Sequence, residues 1–140
     1  MKLALRKTPA SNAPWNAKLA SWAIKVRLVS QYSHGGLVIG DTLYHSTTHG
    51  LHCEPYSPEH WELFDLGDSL DESMLAEFKR RDGTGYDWFS LLAFVLPGKI
   101  SDKRRLYCFE WCWLGMTGIS PTYRVTPEML LRQAIKLREA

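Results

Sequence analysis

The sequence predicts an α+β fold in which a small antiparallel sheet packs against helices. Two patterns indicate it: β-rich and alternating segments fall between residues 37 and 66, and most helix caps and helical apolar spacings come after residue 69. The chain has 140 residues, of which 45% are hydrophobic, so it can bury one proper core. We therefore expect a single domain over residues 1–140.

The first thirty residues predict an arm followed by a helix. Residues 1–13 are basic and polar and include Pro9, which is typical of an N-terminal arm outside the core. Over residues 16–30 the apolar side chains fall at spacings of three and four, which indicates one face of a helix capped by Asn16. The side chains of that face are Leu19, Trp22, Ala23 and Val26.

The next segment predicts a β-hairpin that brings two histidines together. Residues 37–39 are β-rich, residues 40–41 can turn, and residues 42–45 can return as the second strand. His34 and His45 would then lie near each other on neighbouring strands.

Two further strands and a helix follow the hairpin. Residues 51–53 predict a short strand, and the alternation over residues 61–66 predicts a half-buried one. Ser69 and Glu72 make a capping box for a helix that ends near residues 82–83.

Three more helices are expected toward the C terminus. Residues 87–96 predict the first, and the second begins near Cys108 and ends at Gly115 or Gly118. Thr126-Pro127 supplies a cap and a first-turn proline to a final helix that continues through Arg138.

Charge and composition exclude several classes of protein. The net charge is only +2 and the basic residues are scattered, so no nucleic-acid partner is expected. Residues 1–7 lack the apolar core of a signal peptide, and the apolar run 91–96 is far too short for a transmembrane segment. The default expectation is a cytoplasmic protein, which another route could deliver to the cell wall.

Cys108 and His34 are the candidate nucleophile and general base. A cysteine at the first turn of a helix, beside an imidazolium, can have a lowered pKa. The unpaired amides of that turn can also hold the oxyanion of a tetrahedral intermediate. The hairpin places His45 where it can orient the His34 ring. Cys108 should then react with iodoacetamide faster than Cys53 or Cys112.

Structural roles remain open for the same residues. Free cysteine is often a packed core thiol, and strand histidines are often ordinary hydrogen-bonded residues. Zinc binding is a second alternative, although the spacing is irregular and we expect no cofactor. The candidate zinc ligands are His45, His49, His52, Cys53, Cys108 and Cys112.

Aromatic side chains near these motifs are core residues or the walls of a groove for a peptide or an acyl chain. On the second interpretation, Tyr32, Tyr107 and Trp111 are the candidate substrate-binding residues.

Three segments together resemble the motifs of the circularly permuted NlpC-like, or YiiX-type, cysteine hydrolases, to which lecithin:retinol acyltransferase is distantly related within a wider group. They are residues 33–41 (SHGGLVIGD), 85–88 (GYDW) and 107–110 (YCFE), in the family's order. The resemblance covers roughly residues 17–118. Phe109 departs from the small residue common after the family's cysteine, and Gly35 and Gly36 depart from the branched residue usual after its histidine.

The resemblance implies a permuted papain-like fold, in which the histidine strand precedes the cysteine helix. It implies Cys108 as nucleophile, His34 as base, His45 as the third polar residue and a structural role for Glu110. The expected function is a cysteine hydrolase that cleaves an amide or peptide bond, including those of peptidoglycan, through an acyl-enzyme. Lipid acyl hydrolysis or transfer is the alternative reaction. A non-catalytic binding module or a zinc-stabilised domain is the alternative of another class.

Overall fold

The computed structural model describes residues 1–7, 31–47, 50–81 and 108–140, together with Trp15, Lys18, Leu19 and Trp22. Within the described ranges, five strands and three bounded helices form an α+β arrangement, as the sequence predicts. The strands are β1 (Lys2–Arg6), β2 (His34–Ile39), β3 (Thr42–Thr47), β4 (Gly50–Pro55) and β5 (Trp61–Asp65). The helices are α1 (Asp71–Arg81), α2 (Cys108–Thr117) and α3 (Pro127–Glu139).

The strands make one antiparallel sheet in the order β4-β3-β2-β1-β5. The predicted hairpin is confirmed, since β2 and β3 pair around Gly40, which has a φ of 58° suited to glycine in a tight turn. The short strand predicted at residues 51–53 is β4, and the alternating segment is β5. Strand β4 therefore lies at one edge of the sheet and β5 at the other.

The prediction of an N-terminal arm is wrong for the first seven residues. Strand β1 lies inside the sheet between β2 and β5, and Leu3, Ala4 and Leu5 are fully buried. Both faces of this short strand are covered, so it lacks the polar alternation that marks a half-buried strand. Residues 8–14 of the predicted arm lie outside the described residues.

The two faces of the sheet are covered differently. The face with Leu3, Leu5 and Leu37 packs against helix α2 and belongs to the main core. The opposite face carries a smaller apolar cluster around Val38 and Leu43. Since side chains alternate along a strand, neighbouring residues in β2 point to different faces. Gly35 faces α2, whereas His34 faces the other side.

Helix α2 lies unusually close to strand β2 because two glycines remove side chains from the contact. A Cβ on Gly115 would collide with the Leu37 Cδ1 atom. A Cβ on Gly35 would come within 3.2 Å of Phe109 Cδ1 and 3.3 Å of Cys112 Sγ. The first turn of α2 is therefore held over the beginning of β2.

The helix boundaries follow the sequence signals closely. Helix α1 begins at Asp71, two residues after the predicted cap Ser69. Helix α2 ends before Gly118, whose φ is 71°, and Gly115 lies inside the helix. Thr126 caps α3 as predicted, because its side-chain oxygen accepts a hydrogen bond from the Met129 amide at 3.3 Å.

Two predicted helices fall mostly or wholly outside the described residues. The segment 87–96 is one of them. Of the predicted helix 16–30, Lys18, Leu19 and Trp22 are described and helical. Leu19 is 54% exposed and Trp22 62% exposed, so these two side chains do not form the buried face that their spacing indicates.

Across the described part of the chain, no helix has the length and apolar character needed to span a membrane.

Replacing Gly115 with alanine should destabilise the protein by about 2 kcal/mol, because a new methyl group must displace buried Leu37. Alanine is the better helix former by about 1 kcal/mol, so propensity alone predicts the opposite sign. Urea denaturation of the two proteins measures the difference. The added substitution Leu37→Val should recover part of the loss, and a stabilised Gly115→Ala variant would contradict this packing.

Candidate active site

Cys108 is the first residue of helix α2 and is 1% exposed. The sulfur lies against the beginning of β2, where the backbone amide of Gly35 interacts with it, as does the amide of Phe109. Because Gly35 directly follows His34 in the chain, the sulfur lies close to the backbone that carries the His34 ring. The close packing of α2 on β2 thus places the candidate thiol against the strand that carries the candidate base.

The thiol of Cys108 is protonated at neutral pH. Burial raises its pKa to about 12, and the amides of Gly35 and Phe109 oppose that rise only in part. The nearby Glu110 carboxylate raises the pKa further. The expectation of a lowered pKa at the helix N terminus is therefore wrong for this state of the protein, since desolvation outweighs the favourable amides.

His34 and His45 form a directly bonded pair. The Nε2 atom of His34 lies 2.9 Å from the Nδ1 atom of His45, and the two rings meet edge to face. His34 begins β2 and His45 lies in the partner strand β3, so the predicted proximity is confirmed. One of the two facing nitrogens must carry the proton of this bond, so the tautomer of each ring is tied to that of the other.

Both imidazoles of this pair are neutral at pH 7. Burial lowers the pKa of His34 well below its usual value, and the nearby His45, Arg6 and His52 lower it further. Burial likewise lowers the pKa of His45 to about 3, with smaller contributions from His52 and Arg6. The site therefore combines a neutral thiol with neutral imidazoles rather than an ion pair.

Glu54 and His52 continue the polar chain beyond His45. His52 lies directly opposite His45 across the β3–β4 pair, and Glu54 lies two residues further along β4, on the same face. The Nε2 atom of His45 is 3.1 Å from a Glu54 oxygen, yet it is buried without an aligned hydrogen bond. Sequence reasoning missed Glu54, although its period-two spacing from His52 was the available signal.

Arg6 adds a positive charge to the same end of the sheet. It pairs with His34 across β1 and β2, and its guanidinium lies 4.6 Å from the centroid of the Trp61 ring. Burial lowers the pKa of Arg6, whereas interactions with Glu54 and Cys108 act in the opposite direction. Arg6 therefore interacts electrostatically both with the paired histidines and with Cys108. Arg6 was not predicted as part of the site, because the sequence pattern over residues 1–13 predicts an arm outside the core.

Cys112 and Cys53 have positions unlike that of Cys108. Cys112 is fully buried one turn later in α2, against Gly35, and burial raises its pKa well above the usual value. Cys53 is exposed on the edge strand β4. Cys112 is therefore a packed core thiol, and Cys53 is the accessible one.

The two described candidates for substrate binding lie in the core. Tyr32 is 5% exposed, and its hydroxyl donates a 2.6 Å hydrogen bond to Glu62. Trp111 is fully buried, and its Nε1 atom donates to the Tyr44 carbonyl at 3.0 Å. These contacts give both side chains a structural role, and their assignment to substrate binding stays a prediction. Tyr107 lies outside the described residues.

The zinc ligands considered from the sequence do not form one cluster. His45 and His52 are neighbours, but Cys53 lies opposite Tyr44 on the other face of the sheet. His49 lies outside the described residues. Among described residues, the group that could hold a metal ion is His45, His52 and Glu54.

No model of a known protein family matches this sequence, and no curated protein matches it either.

Thiol labelling of the native protein should modify Cys53 first, because Cys108 and Cys112 are buried and protonated. Brief treatment with iodoacetamide at neutral pH, followed by peptide mass spectrometry, measures the order. All three thiols should react in denaturant. Faster native labelling of Cys108 than of Cys53 would contradict this order and restore the expectation from the sequence.

His45 should make the protein less stable in acid. The unfolded chain takes up a proton on this ring near pH 6.5, whereas the folded protein does so only near pH 3. Between about pH 7.5 and pH 5, the free energy of unfolding should therefore fall by about 2 kcal/mol through His45 alone.

Urea denaturation at the two pH values measures this loss for the wild type and for His45→Gln, in which the ring cannot titrate. The loss should be about 2 kcal/mol smaller in the variant. His60→Gln, at an exposed histidine, is the matched control and should behave as the wild type. Equal losses in wild type and His45→Gln would contradict the burial of a neutral His45.

Proposed function

We propose that the protein is a cysteine hydrolase with a permuted papain-like fold, which cleaves an amide or peptide bond through Cys108. The single observation that carries the proposal is the bonded pair of His34 and His45 at the point where Cys108 meets β2. The resemblance of the His34 and Cys108 segments to permuted NlpC-like hydrolases supports it further. Such a site requires a thiol, a base that can take its proton, and a third group that orients the base.

In this proposal the reaction begins with a neutral Cys108 thiol and a neutral His34 imidazole, rather than with a thiolate and an imidazolium. The Nδ1 atom of His34, on the side of the ring away from His45, removes the proton of the Cys108 thiol as the sulfur attacks the carbonyl carbon. Concerted transfer avoids a free thiolate, which burial makes costly at this site. The step requires Nδ1 within about 4 Å of the sulfur at the moment of reaction.

The rest of the cycle restores the protonated thiol, with a proton from water replacing the one that leaves on the amine. The carbonyl oxygen becomes an oxyanion, which the amides and the dipole of the first turn of α2 stabilise. The intermediate collapses when His34 gives its proton to the leaving amine, and a thioester on Cys108 remains. Water then attacks the thioester, His34 takes the proton of that water, and the proton returns to the departing sulfur.

His45 sets the tautomer that this mechanism needs. If the Nε2 proton of His34 is donated to the Nδ1 atom of His45, the Nδ1 atom of His34 has a free lone pair. The proton of His45 is then on its own Nε2 atom, which lies beside Glu54. His45 is therefore a positioning residue, and the positive charge of Arg6 favours negative charge on the sulfur.

Hydrolysis of a lipid ester is the second candidate because of an exposed apolar stripe. Trp15, Leu19 and Trp22 are helical residues at spacings of four and three, and all three are more than half exposed. Lys18 lies beside them and is also exposed. Tryptophan and lysine together on one exposed helical stripe are typical of helices that lie at a lipid surface.

Replacement of Cys108 by alanine or serine should abolish turnover, and His34→Gln should reduce kcat by on the order of 10³-fold or more. Turnover by each variant is measured as the release of products from peptidoglycan fragments, amide substrates and fatty-acyl esters in vesicles. His45→Gln should lower kcat with little change in KM.

Cys112→Ala is the matched control, one helical turn away in the same core, and should retain turnover in proportion to its folded fraction. Circular dichroism confirms that each variant is folded. Wild-type turnover of the acyl ester alone would replace the amide assignment with the lipid one, and full activity of folded Cys108→Ala would overturn both.

A further inference from the structure

Two histidines and a glutamate gather at the exposed side of the site. His45 and His52 face each other across β3 and β4, with ring centroids 4.7 Å apart, and Glu54 follows His52 on the edge strand. One nitrogen from each ring and one carboxylate oxygen all lie within 4.8 Å of one another. Imidazole and carboxylate are the donors that zinc and similar divalent metals accept.

The hydrogen bond of His52 prepares its other nitrogen for a metal. The Nδ1 atom of His52 lies 2.9 Å from the carbonyl oxygen of Gly50, which can only accept, so the ring proton is on Nδ1. The Nε2 atom then presents a lone pair, 3.9 Å from a Glu54 oxygen. A bond from the second ring nitrogen to a backbone carbonyl is the usual way in which proteins orient a metal-binding histidine.

The poorly aligned contact between the His45 Nε2 atom and the Glu54 carboxylate is a second feature of this group. The side chain of His45 is only 5% exposed, and the Nε2 atom has no aligned hydrogen bond although Glu54 is 3.1 Å away. Buried polar atoms are normally paired, because an unpaired one costs free energy. A cation held between this nitrogen and the carboxylate would satisfy both groups.

We propose that the Nε2 atoms of His45 and His52 and the carboxylate of Glu54 bind a divalent transition metal, with zinc as the probe. In tetrahedral zinc sites the bonds are about 2.1 Å long, which puts ligand atoms roughly 3.4 Å apart. His52 and Glu54 are 33% and 49% exposed, so both side chains have room to close around the ion. A site with three protein ligands leaves the fourth position to solvent.

The metal would also control the base, a consequence that rests on the proposed function. A metal on Nε2 of His45 moves the ring proton to Nδ1, which then donates to Nε2 of His34. Neutral His34 must in turn carry its proton on Nδ1, the nitrogen that would accept the proton of Cys108. The metal-bound protein therefore holds His34 in the tautomer that cannot act as the base, and zinc inhibits turnover.

Calorimetric titration of the chelator-treated full chain with Zn²⁺ tests the site without any substrate. We expect one bound ion per chain, and at least about tenfold weaker binding by His52→Ala and by Glu54→Gln. His60→Ala is the matched control, since His60 lies 3.1 Å from a Glu59 oxygen but has no third candidate ligand among the residues that the structure describes. It should bind zinc as the wild type does. Absence of binding, or equal binding by wild type and His52→Ala, would overturn the site.

Long-range nitrogen–proton NMR spectra of the imidazoles test the tautomer separately. Addition of Zn²⁺ should move the His34 proton from Nε2 to Nδ1 in the wild type and leave it in place in folded His52→Ala. An unchanged His34 tautomer with bound zinc would overturn the control of the base but leave the metal site standing.

Activity measurements then separate this inference from the proposed function. If the enzyme turns over, Zn²⁺ should inhibit the wild type, and the zinc concentration for half inhibition should be at least about tenfold higher in His52→Ala. A chain that binds zinc and shifts the tautomer, but cleaves no substrate, would contradict the proposed function alone.

Discussion

The close approach of helix α2 to strand β2 is the constraint on which the rest of the structure depends. Gly35 and Gly115 contribute no side chain to that contact, so the helix lies directly on the strand and on Leu37. Because α2 begins at Cys108, the depth of the packing also fixes the sulfur at the beginning of β2. A shift of about 1 Å at a reacting group can cost on the order of 10²-fold in rate. The same packing of α2 on β2 therefore determines both the stability of the core and the geometry of the proposed site.

Burial at this contact decides the protonation of the site. The free energy of desolvating a thiolate exceeds what the amides of Gly35 and Phe109 return, and the same penalty keeps His34 and His45 uncharged. Such a site differs physically from one in which a thiolate and an imidazolium exist before substrate arrives. In the proposed reaction the base must therefore act during bond formation, so the tautomer of His34 matters more than its charge.

The elements with local signals could be predicted, and those defined by distant partners could not. The β2–β3 hairpin and the Thr126 cap depend on turn and capping residues that adjoin them in the sequence, and the structure confirms both. Strand β1 was not predicted because its partners β2 and β5, and the side chains that bury its two faces, lie far away in the chain. The His34–His45 pair follows from the hairpin, but Arg6 joins it only through the β1 register. The raised pKa of Cys108 could not be predicted either, because it depends on how deeply the helix packs.

The hydrogen bond between His34 and His45 couples the exposed edge of the sheet to its buried side. This coupling acts through the positions of protons and requires no movement of the backbone. Each ring has two nitrogens and one proton, so a ligand that fixes the proton on one ring also fixes it on the next. The coupling is an equilibrium between tautomers, and equilibrium coupling acts equally in both directions. A substrate analogue that requires a free lone pair on His34 must therefore weaken metal binding at His45, His52 and Glu54 by the same factor by which the metal weakens the analogue. The size of that shared factor depends on how differently each ligand binds the two tautomers and on the free-energy difference between those tautomers in the buried pair.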